Sequence, residues 1–403
     1  MRKGSNFIVI ALLIVVAFFG GFYFGMRGFV VELKKNPPNI TILNKEPSDQ
    51  TIDFANFWLV WDALNRNHVD RPLDSKKLLY GAISGMVNAV GDEYTSFFNP
   101  EQNVIAKSSL NGVYEGIGAE LGFKDKQLII VSPLEGSPAQ AVGVLPGDKI
   151  LEIEGESTLG ISLPDAVSKI RGKAGTVSTL LLQRSDKEPV EFKITRGKIV
   201  SESVTWKDLG DGVGYLRLAR FGDNTTSQWS ESVAQMKTEM PNLRGVVVDV
   251  RGNPGGYLEA AIYIASEFLR AGQMVMYQEH ADGTRTDFRV TRLGQLVNVP
   301  VVVVLDNGSA SASEIVAAAL KDSDNAKLIG VTSFGKGTIQ SSEEFKDGSS
   351  LHVTIAKWLT PNKVWIHKVG LTPDVVVERA EEDLGEGVDP QLDTAKQVLL
   401  GDL

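Results

Sequence analysis

The chain has 403 residues, of which 43% are hydrophobic and 23% charged, so it is long enough for two or three domains and is not disordered as a whole. Its net charge is -9 and its lysines and arginines are scattered, which argues against a nucleic-acid-binding protein, since that class clusters positive charge. Cysteine is absent, which excludes thiol nucleophiles, disulfides and cysteine-ligated metal sites.

The N-terminus carries an uncharged, apolar run from Phe7 to Met26. A helix that crosses a bilayer needs about 20 such residues, so we predict a transmembrane anchor within residues 1–26. The alternative is a cleaved signal peptide, whose apolar part would be shorter and would end at small residues instead of at Phe24. Basic residues flank the run on both sides, so charge alone leaves its orientation open.

Two different patterns follow the apolar run. Residues 27–48 show no clear periodicity and contain Pro37 and Pro38, which favours a spacer. Between residues 53 and 90, apolar side chains recur at intervals of three and four, which predicts two helices with a break near Pro72. We therefore assign residues 49–105 to an N-terminal helical region.

Residues 106–198 have the pattern of a compact, mostly-β module with one or two short helices. Short apolar runs alternate there with glycine, proline and aspartate, as in strands joined by turns. The segment Gly116-Ile117-Gly118-Ala119 is a glycine-rich turn that leads into a strand. Free N–H groups of such a turn can bind a terminal carboxylate, although an ordinary hairpin turn uses the same residue types.

Residues 199–380 alternate continuous apolar strands with helices. This pattern predicts an α/β fold whose parallel sheet is covered by helices on both faces. Residues 381–403 are interpreted as an acidic C-terminal tail with a short helical stretch around residues 394–400.

Loops that follow the strands of such a sheet commonly carry its functional site. The first of three such loops runs from Asp249 to Gly256 and places consecutive glycines before a helix. Their N–H groups suit an oxyanion hole, but a tight turn that needs glycine has the same sequence. The residues alone leave both interpretations open.

The second loop joins a buried strand to a helix and carries Ser309, Ser311 and Ser313. A serine on such a turn can present its hydroxyl as a nucleophile. The spacing of Ser311 and Glu314 also fits a capping box, in which the serine only caps the helix. Glu314, like Asp322, is interpreted as a charge on the helix surface and not as an acid–base group.

The third loop places Lys336 between two glycines, with Phe334 and Ile339 nearby. Most lysines are solvated surface charges. Burial by the apolar neighbours would instead lower the pKa of the lysine and let it accept a proton from a serine. Gln340 lies four residues on, where it would share a face with the lysine and hydrogen-bond it.

Histidine is the usual partner of a catalytic serine, and an arrangement of serine, histidine and aspartate stays open. None of the histidines lies in the three glycine loops; they are His68, His280, His352 and His367. Lysine is therefore the preferred base. The sequence has no HExxH motif and no cluster of acidic residues and histidines, so no metal or other cofactor is predicted.

In their order and spacing, these motifs resemble the carboxyl-terminal processing peptidases, the tail-specific proteases of the S41 type. The matching motifs are DVRGNPGG, NGSASASEI and FGKGTIQ, at residues 249–256, 307–315 and 334–340. The module at residues 106–198 is similar to the PDZ domain of these enzymes. GDEYTSFF at residues 91–98 is similar to a helical lead-in of the family, with Glu93 in place of a usual proline, and we interpret it as lying away from the catalytic groups.

The resemblance implies a crotonase-like α/β core and a serine endopeptidase activity. By position, Ser311 would be the nucleophile and Lys336 the general base, with Gln340 orienting the lysine. The N–H groups of Ala312 and Gly255 would form the oxyanion hole.

The resemblance also implies partners and a location. The turn at residues 116–119 would bind the C-termini of protein or peptide substrates, and the anchor would hold the chain in the cell membrane with its catalytic part outside the cytoplasm. No nucleic-acid partner is expected, and a homodimer stays open. The competing classes are a PDZ adaptor whose core is catalytically silent and, from fold analogy alone, an enzyme acting on acyl-CoA.

Overall fold

The computed structural model describes residues 12–22, 29–35, 38–44, 54–92, 94–110, 112–124, 127–134, 136–145, 147–161, 163–184, 187–200, 202–378 and 388–401. The chain divides into two compact units, Met1–Leu79 and Tyr80–Leu403.

The helices of the described residues are α1 (residues 12–22), α2 (Ala55–Asn67), α3 (Ser75–Asn88), α4 (Pro100–Leu110), α5 (Pro138–Ala141), α6 (Leu163–Ile170), α7 (Thr225–Glu239), α8 (Leu258–Phe268), α9 (Ala312–Asp324) and α10 (Pro390–Leu400). The strands are β1 (Phe29–Lys35), β2 (Pro38–Asn44), β3 (Ser96–Phe98), β4 (Val113–Gly116), β5 (Ala119–Lys124), β6 (Gln127–Pro133), β7 (Lys149–Ile153), β8 (Glu156–Ser157), β9 (Val177–Gln183), β10 (Val190–Thr195), β11 (Gly197–Val200), β12 (Val204–Asp208), β13 (Val213–Leu218), β14 (Gly245–Asp249), β15 (Met274–His280), β16 (Arg285–Arg289), β17 (Val301–Leu305), β18 (Lys327–Gly330), β19 (Thr338–Glu344), β20 (Ser350–Leu359) and β21 (Val375–Val376).

The N-terminal elements match the predictions in part. Helix α1 covers the middle of the predicted anchor, and the rest of that apolar run lies outside the described residues. Within the described ranges, no helix combines the length and the apolar character needed to cross a bilayer. Within the predicted spacer, β1 and β2 pair as antiparallel strands, which the absence of clear periodicity did not indicate. Helices α2 and α3 confirm the two predicted helices, and Pro72 lies between them.

The mostly-β module is confirmed. Its main sheet has the strand order β10-β9-β7-β6-β5, with β8 beside β7, while β4 pairs with β11. Alternate residues of β9 are buried, as expected of a strand with one face on a core. The core beneath it contains side chains from several strands and from α5 and α6, among them Leu128, Ile130, Ala139, Ile150, Ala166 and Leu180.

A second sheet, which we call the central sheet, confirms the predicted α/β fold. Its order is β12-β13-β14-β17-β18-β21, and all neighbours are parallel except β12, which runs antiparallel to β13. Strands β14 and β17 are valine-rich and buried at every position. Such continuous burial is typical of parallel strands with both faces covered.

Helices cover both faces of the central sheet. Val246 and Val248 belong to the core shared with α7, α8 and α9. Val247 points to the other face, where it belongs to a core shared with α10. The helical stretch predicted near residues 394–400 is thus confirmed, but the helix starts earlier, at Pro390. It forms a layer of the core, so the interpretation of these residues as a tail was incomplete.

A third sheet carries part of the site. Its order is β16-β15-β20-β19, and β3 pairs with β20. The prediction that residues 91–98 are a helical lead-in was therefore wrong, because Ser96–Phe98 form a strand whose aromatic side chains suit a sheet. Glu93, the departure from the family pattern, lies outside the described residues.

Candidate active site

The first two glycine loops lie against each other because the strands that precede them, β14 and β17, are parallel neighbours. The carbonyl oxygen of Asn253 accepts hydrogen bonds from the N–H of Ala310 and the hydroxyl of Ser313, both at 2.9 Å. The N–H of Gly252 donates to Oδ1 of Asp306 at 2.7 Å. These bonds hold the two loops as one assembly at the carboxyl edge of the sheet.

The three serines of the second loop have different roles. Oγ of Ser309 donates to the carbonyl of Val250 at 2.8 Å, and the hydroxyl of Ser313 is bonded as described above. Both side chains are buried and support the backbone. The Ser311 side chain lies on the wall of a cavity instead. The structure therefore singles out Ser311 among the serines that the sequence left equivalent.

Ser311 has an unusual backbone conformation at the start of α9. Its φ is 55° and its ψ is -113°, values that residues other than glycine rarely adopt. Such strain costs on the order of 1–3 kcal/mol and is commonly found at functional sites. A sharp strand-to-helix turn of this kind exposes a serine hydroxyl above the sheet.

Glu314 was expected on the helix surface, and that expectation was wrong: its side chain is buried, with the residue 1% exposed. Oε2 accepts the N–H groups of Ser311 at 2.8 Å and Lys336 at 2.9 Å. Oε1 accepts Oγ of Ser333 at 2.6 Å and the N–H of Gly335 at 2.7 Å. The bond to Ser311 is the glutamate half of the predicted capping box. One carboxylate thus joins the serine loop to the lysine loop.

Burial raises the pKa of Glu314, while its four hydrogen-bond donors act in the opposite direction. A protonated carboxyl would need one oxygen to donate, and here both oxygens already accept two bonds. The ionised form is therefore the one that this geometry accommodates.

Other bonds clamp the backbone around Lys336. Nε1 of Trp358 donates to the Lys336 carbonyl and Nε1 of Trp365 to the Gly337 carbonyl, both at 2.8 Å. A Cβ on Gly337 would lie 2.8 Å from Nε1 of Trp365, so this close approach requires glycine.

The Lys336 side chain is half-buried, and its Nζ lies 5.0 Å from the ring centre of Tyr94. Burial lowers the pKa of Lys336, although the negative charges of Asp92 and Glu314 partly oppose this effect. Phe334 does not contribute to the burial as expected, because it is 54% exposed. Tyr94, which is distant in the sequence, thus lies against the amine.

Gln340 shares the cavity with Lys336 but makes different bonds from those expected. Its Nε2 donates to Oγ1 of Thr338 at 2.9 Å and to Oγ1 of Thr354 at 3.1 Å. The pairing of β19 with β20 shifts register between Ile339 and Gln340. Among the bonds of the described residues there is none from Gln340 to the lysine, so that expectation was wrong.

The two predicted oxyanion donors differ in whether their N–H group already donates a hydrogen bond within the protein. A Cβ on Gly255 would lie 2.9 Å from Cβ of Ser311 and 3.1 Å from the nitrogen of Ala312, so only glycine fits here. The N–H of Ala312 is at the first position of α9 and has no acceptor within the helix. The N–H of Gly255 donates to Oδ1 of Asn253 at 2.9 Å. It would have to leave that oxygen to bind an oxyanion.

A cavity of about 520 Å³ brings these groups together; Gly255, Ser311, Ala312, Lys336 and Gln340 all line it. The bonds between described residues include none from Oγ of Ser311 to Nζ of Lys336. The rest of its wall is mixed: Leu110, Leu258, Ile315 and Ile339 are apolar, whereas Glu259, Thr338 and Ser342 are polar. Within the described part of the chain, no group of three or more histidine, aspartate and glutamate side chains could hold a metal ion.

His352, which lies outside the three glycine loops in the sequence, also lines the cavity. It reaches the site because β20 runs beside β19. Burial lowers the pKa of His352, and the positive charge of Lys336 lowers it further. His352 is therefore a neutral group at neutral pH and the one histidine on the wall of this cavity.

The predicted carboxylate turn of the PDZ-like module lines a second, smaller cavity. Gly116, Ile117, Gly118 and Ala119 lie on one side, and Arg171 and neighbouring apolar residues of α6 on the other. A Cβ on Gly118, whose φ is 72°, would lie 2.5 Å from Cβ of Ser137. Strand β5 is at an end of its sheet, where a peptide can add as a further strand. Sequence reasoning missed Arg171, because it follows the turn by about 50 residues and reaches it only in the folded module.

Comparison with known proteins identifies the family. A profile of peptidase family S41 matches residues 212–377, and a PDZ-domain profile matches residues 129–184. The carboxy-terminal processing protease CtpB of Bacillus subtilis (strain 168) is 38% identical over 325 residues, which are 80% of this chain and 67% of that protein. The chain belongs to peptidase family S41.

Other relatives agree. CtpA of Bacillus subtilis (strain 168) is 37% identical over 305 residues, 76% of this chain and 65% of that protein, so the chain spans about two thirds of the length of these curated S41 relatives. Among solved structures, the photosystem II D1 C-terminal processing protease is 28% identical, with a TM-score of 0.56 over 80% of this chain and 92% of the other. The resemblance inferred from the motifs is confirmed, as is an S41 fold with a PDZ domain.

Proposed function

We propose that this S41 member is a serine endopeptidase in which Ser311 is the nucleophile and Lys336 the general base. The observation that carries the proposal is a single cavity lined by a serine on a strained helix start, a half-buried lysine and the first N–H of α9. We also propose the crotonase-like relationship of the core, which rests on the sequence resemblance alone.

The chemistry follows from these groups. Oγ of Ser311 attacks the carbonyl carbon of the scissile peptide while its proton passes to the neutral amine of Lys336. The N–H of Ala312, joined by that of Gly255 once released from Asn253, stabilises the oxyanion. The lysine then gives the proton to the leaving amine. In the second half of the reaction, water gives a proton to Lys336 and attacks the acyl-enzyme, and the lysine returns that proton to Oγ of Ser311.

The second cavity suggests how substrates are selected. The turn at residues 116–119 supplies backbone donors, Arg171 supplies positive charge, and the edge strand β5 offers main-chain pairing. These features fit the free C-terminus of a peptide. We therefore propose that the PDZ domain captures protein C-termini for cleavage in the first cavity.

The test uses the full-length protein in mild detergent and an unstructured peptide with an apolar C-terminus. Mass spectrometry should find internal cleavage products, and the Ser311→Ala variant should give none. Peptide that binds but is never cleaved by the wild-type protein would favour the silent adaptor instead.

C-terminal capture predicts a difference between the acid and amide forms of the same peptide. Charge-assisted hydrogen bonds are roughly twice as strong as neutral ones, so the amide should be cleaved with a clearly lower kcat/KM. The control is a second peptide pair in which only the N-terminus is capped, which should not change the rate. Equal cleavage of acid and amide would reject carboxylate capture while leaving the catalytic proposal intact.

We further propose that the apolar run at residues 7–26 anchors the chain in the cell membrane, with the catalytic part outside the cytoplasm. The length of the run supports this. The full-length chain should stay with membranes during alkaline carbonate extraction, and a variant without residues 1–26 should be released. Protease added to intact cells should digest the catalytic part. Release of the full-length chain by carbonate would contradict the anchor.

A further inference from the structure

Asp92 and residues 94–98 lie beside the candidate active site, contrary to the expected place of this segment. Oγ1 of Thr95 donates to Oδ2 of Asp92 at 2.6 Å and accepts the N–H of Thr354 at 3.1 Å. Next along the chain, β3 pairs with β20 through Ser96 and His352. The segment is thus fixed to the strand adjacent to β19, which follows directly after Lys336.

Tyr94, which belongs to this segment, lies against the side chain of Lys336. Its ring centre lies 5.0 Å from Nζ of Lys336, the spacing of a cation–π contact. On its other side the ring meets His367 edge-to-face at 5.9 Å, and His367 stacks on Trp365 at 5.0 Å. Trp365 in turn bonds the Gly337 carbonyl. These aromatic rings therefore hold both the side chain and the backbone of the lysine loop.

The side chain of Asp92 fixes the turn that carries Tyr94. Its Oδ1 accepts the N–H of Tyr94 at 3.2 Å, and its Oδ2 accepts Oγ1 of Thr95 at 2.6 Å. Burial alone would raise the pKa of Asp92, but hydrogen bonds from hydroxyl and N–H groups hold it below its usual range. Asp92 is thus ionised at neutral pH, the form that accepts both bonds.

Several charged or titratable groups act on Lys336, each from a different element. Asp92 and Glu314 are negative and favour the ammonium form. His352, across the same cavity, is affected by the lysine charge. Tyr94 faces the amine with its ring.

We propose that Asp92 and Tyr94 are positioning residues for the catalytic lysine, Tyr94 by holding its side chain and Asp92 by fixing the segment that carries Tyr94. This rests on the proposed function, because it assumes that Lys336 is the base. Both residues act through the position of Lys336.

The test is the pH profile of kcat/KM for peptide cleavage by full-length variants. The wild-type rate should rise with pH as Lys336 loses its proton. Asp92→Asn removes a negative charge that stabilises the ammonium, so the lysine should lose its proton more readily. The midpoint of the profile should then move to lower pH by roughly one unit, with a lower plateau. A purely structural defect would lower the plateau without moving the midpoint.

Two further variants separate the parts of the proposal. Thr95→Val keeps the charge of Asp92 but removes the hydroxyl that joins Asp92 to Thr354 of β20, so the plateau should fall about tenfold while the midpoint stays. Tyr94→Phe keeps the ring and should retain most activity, whereas Tyr94→Ala should lose about tenfold or more. Asp287→Asn, at an exposed position of β16, is the matched control.

Thermal unfolding and peptide binding to the PDZ domain show which variants are folded. If Asp92→Asn does not fold, the Thr95 and Tyr94 variants still decide the proposal. An unmoved midpoint in folded Asp92→Asn, or equal activity of Tyr94→Ala and wild type, would overturn it. Cleavage that survives in Ser311→Ala would instead overturn the proposed function itself, so the two failures are distinguishable.

Discussion

Replacing either Ser311 or Lys336 by alanine should lower kcat by on the order of 10⁴-fold, and the double variant should be no slower than the single ones. The reason is that the serine is a weak nucleophile without a base, and the base has no proton to accept without the serine. Their effects are therefore not additive. Single-turnover cleavage of one peptide by all three variants provides the measurement.

Two controls make this result specific. Lys346→Ala removes an exposed lysine from the same unit and should leave the rate unchanged. His352→Gln removes the histidine of the cavity and should cost far less than loss of Lys336. Activity that persists in Lys336→Ala but disappears in His352→Gln would assign the base to the histidine.

The second large effect is expected at Glu314. In Glu314→Gln an amide group replaces one carboxylate oxygen and faces two donors that it cannot accept. Each unsatisfied buried donor costs about 1–3 kcal/mol. The serine and lysine loops should also separate slightly, and a displacement of about 1 Å can cost 10²-fold in rate. We therefore expect a loss of both thermal stability and kcat.

Glu343→Gln, an exposed glutamate on β19, is the matched control and should change neither quantity. The informative measurement is kcat of the wild type and of Glu314→Gln at a temperature where both proteins are fully folded, with the thermal stability of each measured separately. A Glu314→Gln variant with wild-type kcat there would show that the carboxylate supports folding only and does not align the two loops.

The parts of the fold that depend on local pattern could be predicted from the sequence. The valine-rich strands β14 and β17 are buried throughout, as their composition indicates. The glycine and serine loops lie where strand ends were predicted, because parallel strands bring their carboxyl ends to one edge. The resemblance to a family then selected Ser311 from three serines that local sequence could not distinguish.

The features that could not be predicted depend on contacts between residues that are distant in the sequence. Tyr94 and His352 come to Lys336 only because β3 and β20 are paired across most of the chain, which no local pattern indicates. Glu314 has the spacing of a helix cap, and its burial follows from the approach of the lysine loop. Nε2 of Gln340 donates to the hydroxyls of Thr338 and Thr354, bonds that its spacing from the lysine does not indicate.

Helix α10 has a consequence for where the catalytic domain ends. Arg251, in the loop that leads to Gly255, donates to both carboxylate oxygens of Asp389 at 2.9 Å and to Oε1 of Gln391 at 2.9 Å. The S41 profile stops at residue 377, before these partners. A recombinant fragment trimmed to that boundary would expose one face of the central sheet to water and leave a buried guanidinium short of acceptors. The smallest autonomous folding unit of the peptidase therefore extends beyond its family signature to the end of α10.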